Sequence, residues 1–201
     1  MMVIHTSNRE STTKGREAIA PLLVALLRHD TVRALTLTDP WAELVAIGAK
    51  RLETRSWPPP DDYRGPLAIH VSKRFPAEAE ALCFEEPFRS TLEAAGFRWT
   101  EPRRGNARNT WQFPLGSVVA VAWLEDVRRL PPTLSRGQVP PEPERSFGNF
   151  APGRFVWSLP TVYRLPQPIE ARGNYGLWDW QPPAHFWDGV QARLDAERQV
   201  V

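Results

Sequence analysis

The chain of 201 residues contains a single cysteine, Cys83. That excludes an internal disulfide and a cysteine-rich zinc site, and it fits a reducing compartment. Cys83 lies in an apolar run, where a thiol serves as a small buried hydrophobe rather than as a nucleophile. Net charge is scarce as well. The formal value is +2, too small to argue for nucleic acid by itself, so any basic surface has to be local. Long apolar runs are also absent. The longest, Ala18 to Leu27, is about half of the roughly 20 residues a membrane span needs, and Pro21 interrupts it. Lys14 and Arg16 precede it as in a signal sequence, but no small-residue cleavage site follows and Arg28-His29-Asp30 comes at once. The run reads as a docking helix, and the protein as cytoplasmic with no membrane partner. There is no Gly-rich phosphate loop, no G-x-S-x-G turn and no histidine pair at helical spacing. His5, His29, His70 and His185 are scattered, so neither a metal nor a cofactor is expected.

What is abundant is proline and tryptophan, 21 and 9 residues respectively. Proline on that scale argues for irregular connections and edge strands, and against a helical bundle. Strands are expected at Val32–Leu37, Arg51–Arg55, Leu67–Val71 and Val118–Leu124, with short ones near Phe155–Trp157 and Thr161–Leu165. Helices are expected from Glu17 to Leu27 and from Pro40 to Ile47. Two short ones are expected between Phe75 and Gly96, broken at Pro87, and a terminal one over Pro183–Arg198. Gly173 to Trp180 reads as a glycine-aromatic turn. Together these predict an α+β fold, a small mixed, partly open β-barrel decorated by peripheral helices. The organisation expected is an N-terminal tail and docking helix over 1–30, the barrel domain over 31–180 and a C-terminal helix packed on it over 181–201.

One stretch stands out. Asp39 can accept amide hydrogens of a first turn, Pro40 suits the start of a helix, and Trp41, Leu44 and Val45 share one face. Gly48 is placed to end that helix. In the strand that follows, Arg51, Glu53 and Arg55 point one way while Leu52 and Thr54 point the other, with Lys50 at the joint. A cation, a carboxylate and further cations on one side of a strand can form an acid–base pair or a reader of phosphate and base edges. They can equally form a salt-bridge ladder worth about 0–1 kcal/mol per surface pair.

Gly48-x-Lys50-x-x-Glu53-x-Arg55, after a Pro-Trp helix and before Ser56-Trp57, resembles the signature of the ASCH family. The likeness continues through Tyr63-Arg64-Gly65-Pro66-Leu67-Ala68-Ile69-His70-Val71-Ser72-Lys73. Weaker echoes appear at Phe147-Gly148-Asn149-Phe150 with Gly153-Arg154, and at Gly173-Asn174-Tyr175-Gly176-Leu177-Trp178. The resemblance spans roughly residues 33 to 180 and implies the small β-barrel that ASCH domains share with RNA-binding PUA domains. It implies a cleft around the motif for RNA, single-stranded nucleic acid or a modified nucleotide. Lys50 and Arg55 would meet phosphate or a base carbonyl, Glu53 would accept from base amino groups, and Lys73 would add charge. Ser72 would stand beside them at the strand end, and Trp57 would wall the pocket.

The same resemblance carries an enzymatic alternative, because some small ASCH proteins are amidohydrolases acting on N4-acetylcytidine and others have been assigned ribonuclease activity. The amidohydrolases are similar in using a lysine that Lys50 matches, a threonine three residues later and a glutamate from another strand. This chain has Glu53 in place of the threonine. Hydrolysis would therefore need water activated by Glu53, or by Glu125 after the Val118–Leu124 strand, with Lys50 as electrostatic partner. Arg98, Arg103, Arg104 and Arg108, interleaved with Trp99 and Trp111, read as a second nucleic-acid contact or as a loop whose tryptophans cap the barrel. A protein-interaction surface on the proline-rich stretch 131–168 or on the terminal helices is a third possibility.

Overall fold

The computed structural model describes residues 19–100, 111–135 and 137–199. The expected start of the first helix at Glu17, the N-terminal tail, and Arg103, Arg104 and Arg108 lie outside them. Among the described residues no helix is long and apolar enough to cross a membrane.

The chain runs α1 (Ala20–Leu26), β1 (Val32–Leu37), α2 (Trp41–Ala46), β2 (Leu52–Arg55) and β3 (Gly65–Val71). Next come α3 (Ala77–Leu82), α4 (Phe88–Ala94), β4 (Ser117–Leu124), β5 (Asp126–Arg129) and β6 (Phe155–Ser158). It ends with β7 (Thr161–Glu170), β8 (Leu177–Trp180) and α5 (Ala184–Arg198). A five-stranded mixed sheet has the order β7-β4-β3-β1-β8, and a three-stranded sheet has the order β2-β6-β5. The chain passes between the sheets at Glu125 and again at Leu159–Pro160. Among the described residues eight strands fall in two separate ladders, so the fold there is mixed α+β with an open sheet and the barrel does not close.

Burial follows from side-chain alternation. In β1, Val32 and Ala34 join one core with Leu22, Leu23 and Leu26 of α1 and Phe186, Val190 and Leu194 of α5. Leu35 and Leu37 face the opposite way, into a core with Ala42 and Val45 of α2 and Trp157 of β6. All seven residues of β3 are buried, as expected of a strand covered on both faces. The α5 core positions recur every four residues, the spacing that keeps one helical face against the sheet.

Several expectations change in detail. Pro40 stands just before the first helical residue rather than inside the helix. Asp39 nonetheless accepts the Glu43 amide at 3.1 Å, and Gly48 ends the turn at φ +73°. β5 was not expected, since Asp126-Val127-Arg128-Arg129 carries one apolar residue. Its backbone is drawn into pairing with β6. The 173–180 segment is only partly a turn, because Leu177–Trp180 pairs antiparallel with β1.

Candidate functional site

Strands β1 and β3 are parallel neighbours, so their C-terminal ends lie side by side, and β8 enters beside β1 from the same end. The residues just past those ends enclose a recess of about 660 Å³. Arg55 and Trp57 come to it from the end of β2, Ser72, Lys73 and Arg74 from the turn after β3, and Arg172 from the loop before β8. Four cations thus converge from three segments, and among the described residues no carboxylate lines the recess. The loop before β8 is pinned by Thr36, whose hydroxyl donates to the Asn174 carbonyl at 3.0 Å. At its tip Tyr175 is 94% exposed, the most open large side chain among the exposed hydrophobics.

His70 forms part of the recess floor and is buried. Its Nε2 lies 3.1 Å from the Ala171 carbonyl. A carbonyl only accepts, so the proton is on Nε2. Burial holds the imidazole below its ordinary pKa, the Ala171 and Gly116 carbonyls oppose that, and Lys73 adds to the lowering. The ring is therefore a neutral structural group, against which Gly173 packs. A Cβ on Gly173 would come within 2.3 Å of the ring, so only glycine lets the loop approach this closely.

Behind the recess lies an ion chain. Arg55 Nε is 3.1 Å from Glu53 Oε1, and Lys50 Nζ is 3.4 Å from Glu53 Oε2. Lys50 also donates to the Leu52 carbonyl. Arg55 reaches further, donating to the Thr36 carbonyl at 3.2 Å, and its guanidinium lies 5.8 Å from the Trp57 ring. Trp57 meets Trp157 edge-on at 5.1 Å. Lys50 is fully buried and does not line this recess, which differs from the expected meeting with phosphate. Its charge is matched by Glu53, leaving Arg55 as the cation that the motif presents outward.

A smaller recess of about 330 Å³ borders the other side of Glu53. Glu53 and Thr54 both line it, although alternate residues face opposite sides of a strand. The reason is that it follows an edge of β2, whose other edge pairs with β6. This outer edge is clasped by a distant loop. Glu144 accepts the Arg51 and Leu52 amides at 2.8 and 3.0 Å, Thr54 Oγ1 accepts the Asn149 amide, and Arg154 donates to the Thr54 carbonyl.

The motif is thus only partly assembled as expected. Glu53, Arg55, Trp57, Ser72 and Lys73 border one recess or the other. Arg51 turns away to the Gly48 and Pro160 carbonyls, and Glu125 is exposed and borders neither. Trp111 is buried among aromatics and Trp99 packs on Phe84 and bonds Glu93, so these two tryptophans are packing residues. Sequence reading missed Arg74 and Arg172. The first was visible as the neighbour of Lys73, while the second is brought in only by the pairing of β8 with β1. Among the described residues no three His, Cys, Asp or Glu side chains gather closely enough to hold a metal ion.

Comparison with known proteins bears on this arrangement. The family model for the ASCH domain matches residues 35–130. The solved structure of ASCH from Zymomonas mobilis is similar at 13% identity, with 82% of this chain and 93% of that one covered and a TM-score of 0.39. No curated protein matches.

Proposed function

Because residues 35–130 match the ASCH domain family model, we propose that the chain belongs to that family and that its large recess binds RNA or a modified nucleotide through phosphate. One observation carries this reading. Arg55, Lys73, Arg74 and Arg172 converge on a cavity with no lining carboxylate among the described residues, the arrangement that favours an anion. Arginine can hold phosphate with two parallel hydrogen bonds. Tyr175 at the mouth and Trp57 in the wall offer ring faces to an unpaired base. Lys50 acts from behind, holding Glu53 in place. As a domain plan, residues 31–180 form the binding unit, and the helices within 1–30 and 181–201 back its sheet.

The test is titration of a labelled short single-stranded RNA, each sample then run on a denaturing gel. Lys73→Ala and Arg172→Ala should each weaken binding about tenfold or more, the equivalent of ~1.5–3 kcal/mol for one charged hydrogen bond. The salt dependence should flatten by about 0.7 in log–log slope for each phosphate contact removed from a single strand. Unchanged affinity in both variants would sink the placement. Lys50→Ala is a poor probe, since stripping one partner from a buried ion pair costs about 3–5 kcal/mol of fold stability. A hydrolytic reading rests on Glu53, the carboxylate that borders a recess with Lys50 3.4 Å away. RNA cleaved in the same gel, and left intact by Glu53→Gln, would move the assignment to that activity.

A further inference from the structure

The smaller recess has the make-up of a binding site in its own right. Trp41, Phe88 and Phe147 form its walls, with Trp41 and Phe88 edge-to-face at 6.3 Å and Phe88 and Phe147 at 5.1 Å. Its polar groups are Glu53, Thr54, Ser146 and Asn149, and the Ser146 hydroxyl already donates to Glu142 at 2.7 Å. About 330 Å³ is at the small end of ligand pockets, a fit for one flat ring system. The Thr54 hydroxyl is already occupied by the Asn149 amide, and Asn149 Oδ1 accepts from Ala151. The Asn149 side-chain NH₂ therefore has no partner among the described residues. It can only donate. The Glu53 carboxylate can only accept. Each of its oxygens holds one cation, and a carboxylate oxygen has room for a second hydrogen bond.

Aromatic walls, one anionic acceptor and one amide donor specify a flat heteroaromatic ring that presents an amino group beside a ring nitrogen. That is the edge of an unpaired cytosine or adenine. We infer that this recess takes a single extruded nucleobase of the bound strand, read through its amino group by Glu53 and through its ring nitrogen by Asn149. The inference rests on the nucleic-acid reading of the larger recess. The two cavities share a wall, since Glu53 borders one, Arg55 borders the other, and the two side chains touch at 3.1 Å. Phosphate and base would thus be held on either side of a single ion pair. The backbone electrostatics give affinity there, and the base contacts give preference. Extruding a base costs a few kcal/mol from a duplex and much less from a single strand, so the substrate class is single-stranded.

The test compares four short single-stranded RNAs that differ at one central position: cytosine, adenine, pyrimidin-2-one (cytosine without its amino group) and an abasic residue. The wild type should bind the cytosine or adenine strand at least tenfold tighter than the other two. Asn149→Ala and Trp41→Leu should lose that preference while binding the abasic strand as the wild type does. Asn149 is exposed at the rim, so its variant keeps the question answerable if Trp41→Leu fails to fold. Equal binding of all four strands by the wild type would overturn the inference and leave the phosphate reading standing, as would a preference untouched by Asn149→Ala. Absence of binding to every strand would overturn both.

Discussion

Glu43 is a carboxylate that the fold keeps from water. Its side chain is 2% exposed, and a cation, Arg164, lies against it at 3.4 Å. Burial raises its pKa to about 7, with Arg164 pulling the other way. Asp39, one turn earlier and fully buried, is likewise raised well above its usual range, by burial first and by Glu43 second. A carboxyl with a raised folded pKa holds its proton more tightly folded than unfolded. Its stabilising effect is therefore present below the unfolded value of 4.5 and is lost as pH rises towards 7. Glu43 alone accounts for about 3–4 kcal/mol over that window, at ~1.4 kcal/mol per unit. The denaturant midpoint should fall between pH 4.5 and 7, and Glu43→Gln should flatten that fall. An equally steep fall in the variant would assign the slope to Asp39. The residue scale also shows where the sequence stops speaking. Gly48 as a stop and Cys83 as an inert thiol were legible, the latter being fully buried with its pKa pushed up to about 12, mainly by burial. The burial of Lys50 was not, because a lysine beside a carboxylate and an arginine reads as surface until the fold closes over it.

Among the elements, β2 depends most on others. One carboxylate, Glu144, caps its part-buried Leu52 amide and the exposed Arg51 amide just before it, and a half-buried donor left without a partner costs about 1–3 kcal/mol. Glu144→Ala should speed hydrogen exchange at Arg51 and Leu52 by tenfold or more, while amides of β3 and β4 stay as they are. Exchange unchanged at those two positions would mean that the clasp contributes nothing. Strand placement was largely legible, since Val32–Leu37 and Val118–Leu124 are apolar runs bounded by turn residues and the sheet uses them almost as read. β5 and β8 were not, because their strand character comes from partners in the sheet rather than from their own composition. The large recess was half legible for the same reason. Its motif side follows one another in sequence, whereas Arg172 and Tyr175 reach it only through the register of β8 on β1.

For the whole molecule, the family-matched segment 35–130 holds the motif and the turn after β3, yet β6, β7, β8 and the loop with Arg172 all lie beyond it. The back of the five-stranded sheet is covered by α1 and α5. Phe186, Val190 and Leu194 together contribute on the order of 5–8 kcal/mol by burial, an upper figure. That rivals the 5–15 kcal/mol total of a typical domain. A charge placed there, Val190→Asp, should leave the protein largely unfolded by circular dichroism at 25 °C. A cooperative melt near that of the wild type would show that α5 is dispensable. The clasp on β2 also has a consequence for synthesis. Glu144 and Arg154 are 93 and 100 positions from the residues they hold, and β6, which pairs with the other edge of β2, follows directly. A ribosome therefore completes the whole Lys50–Glu53–Arg55 strand long before any group that secures either edge of it has been made. During that interval the strand is an unpaired ribbon, open to chaperones and to mispairing, and the large recess is complete only once Arg172 and Tyr175 have emerged.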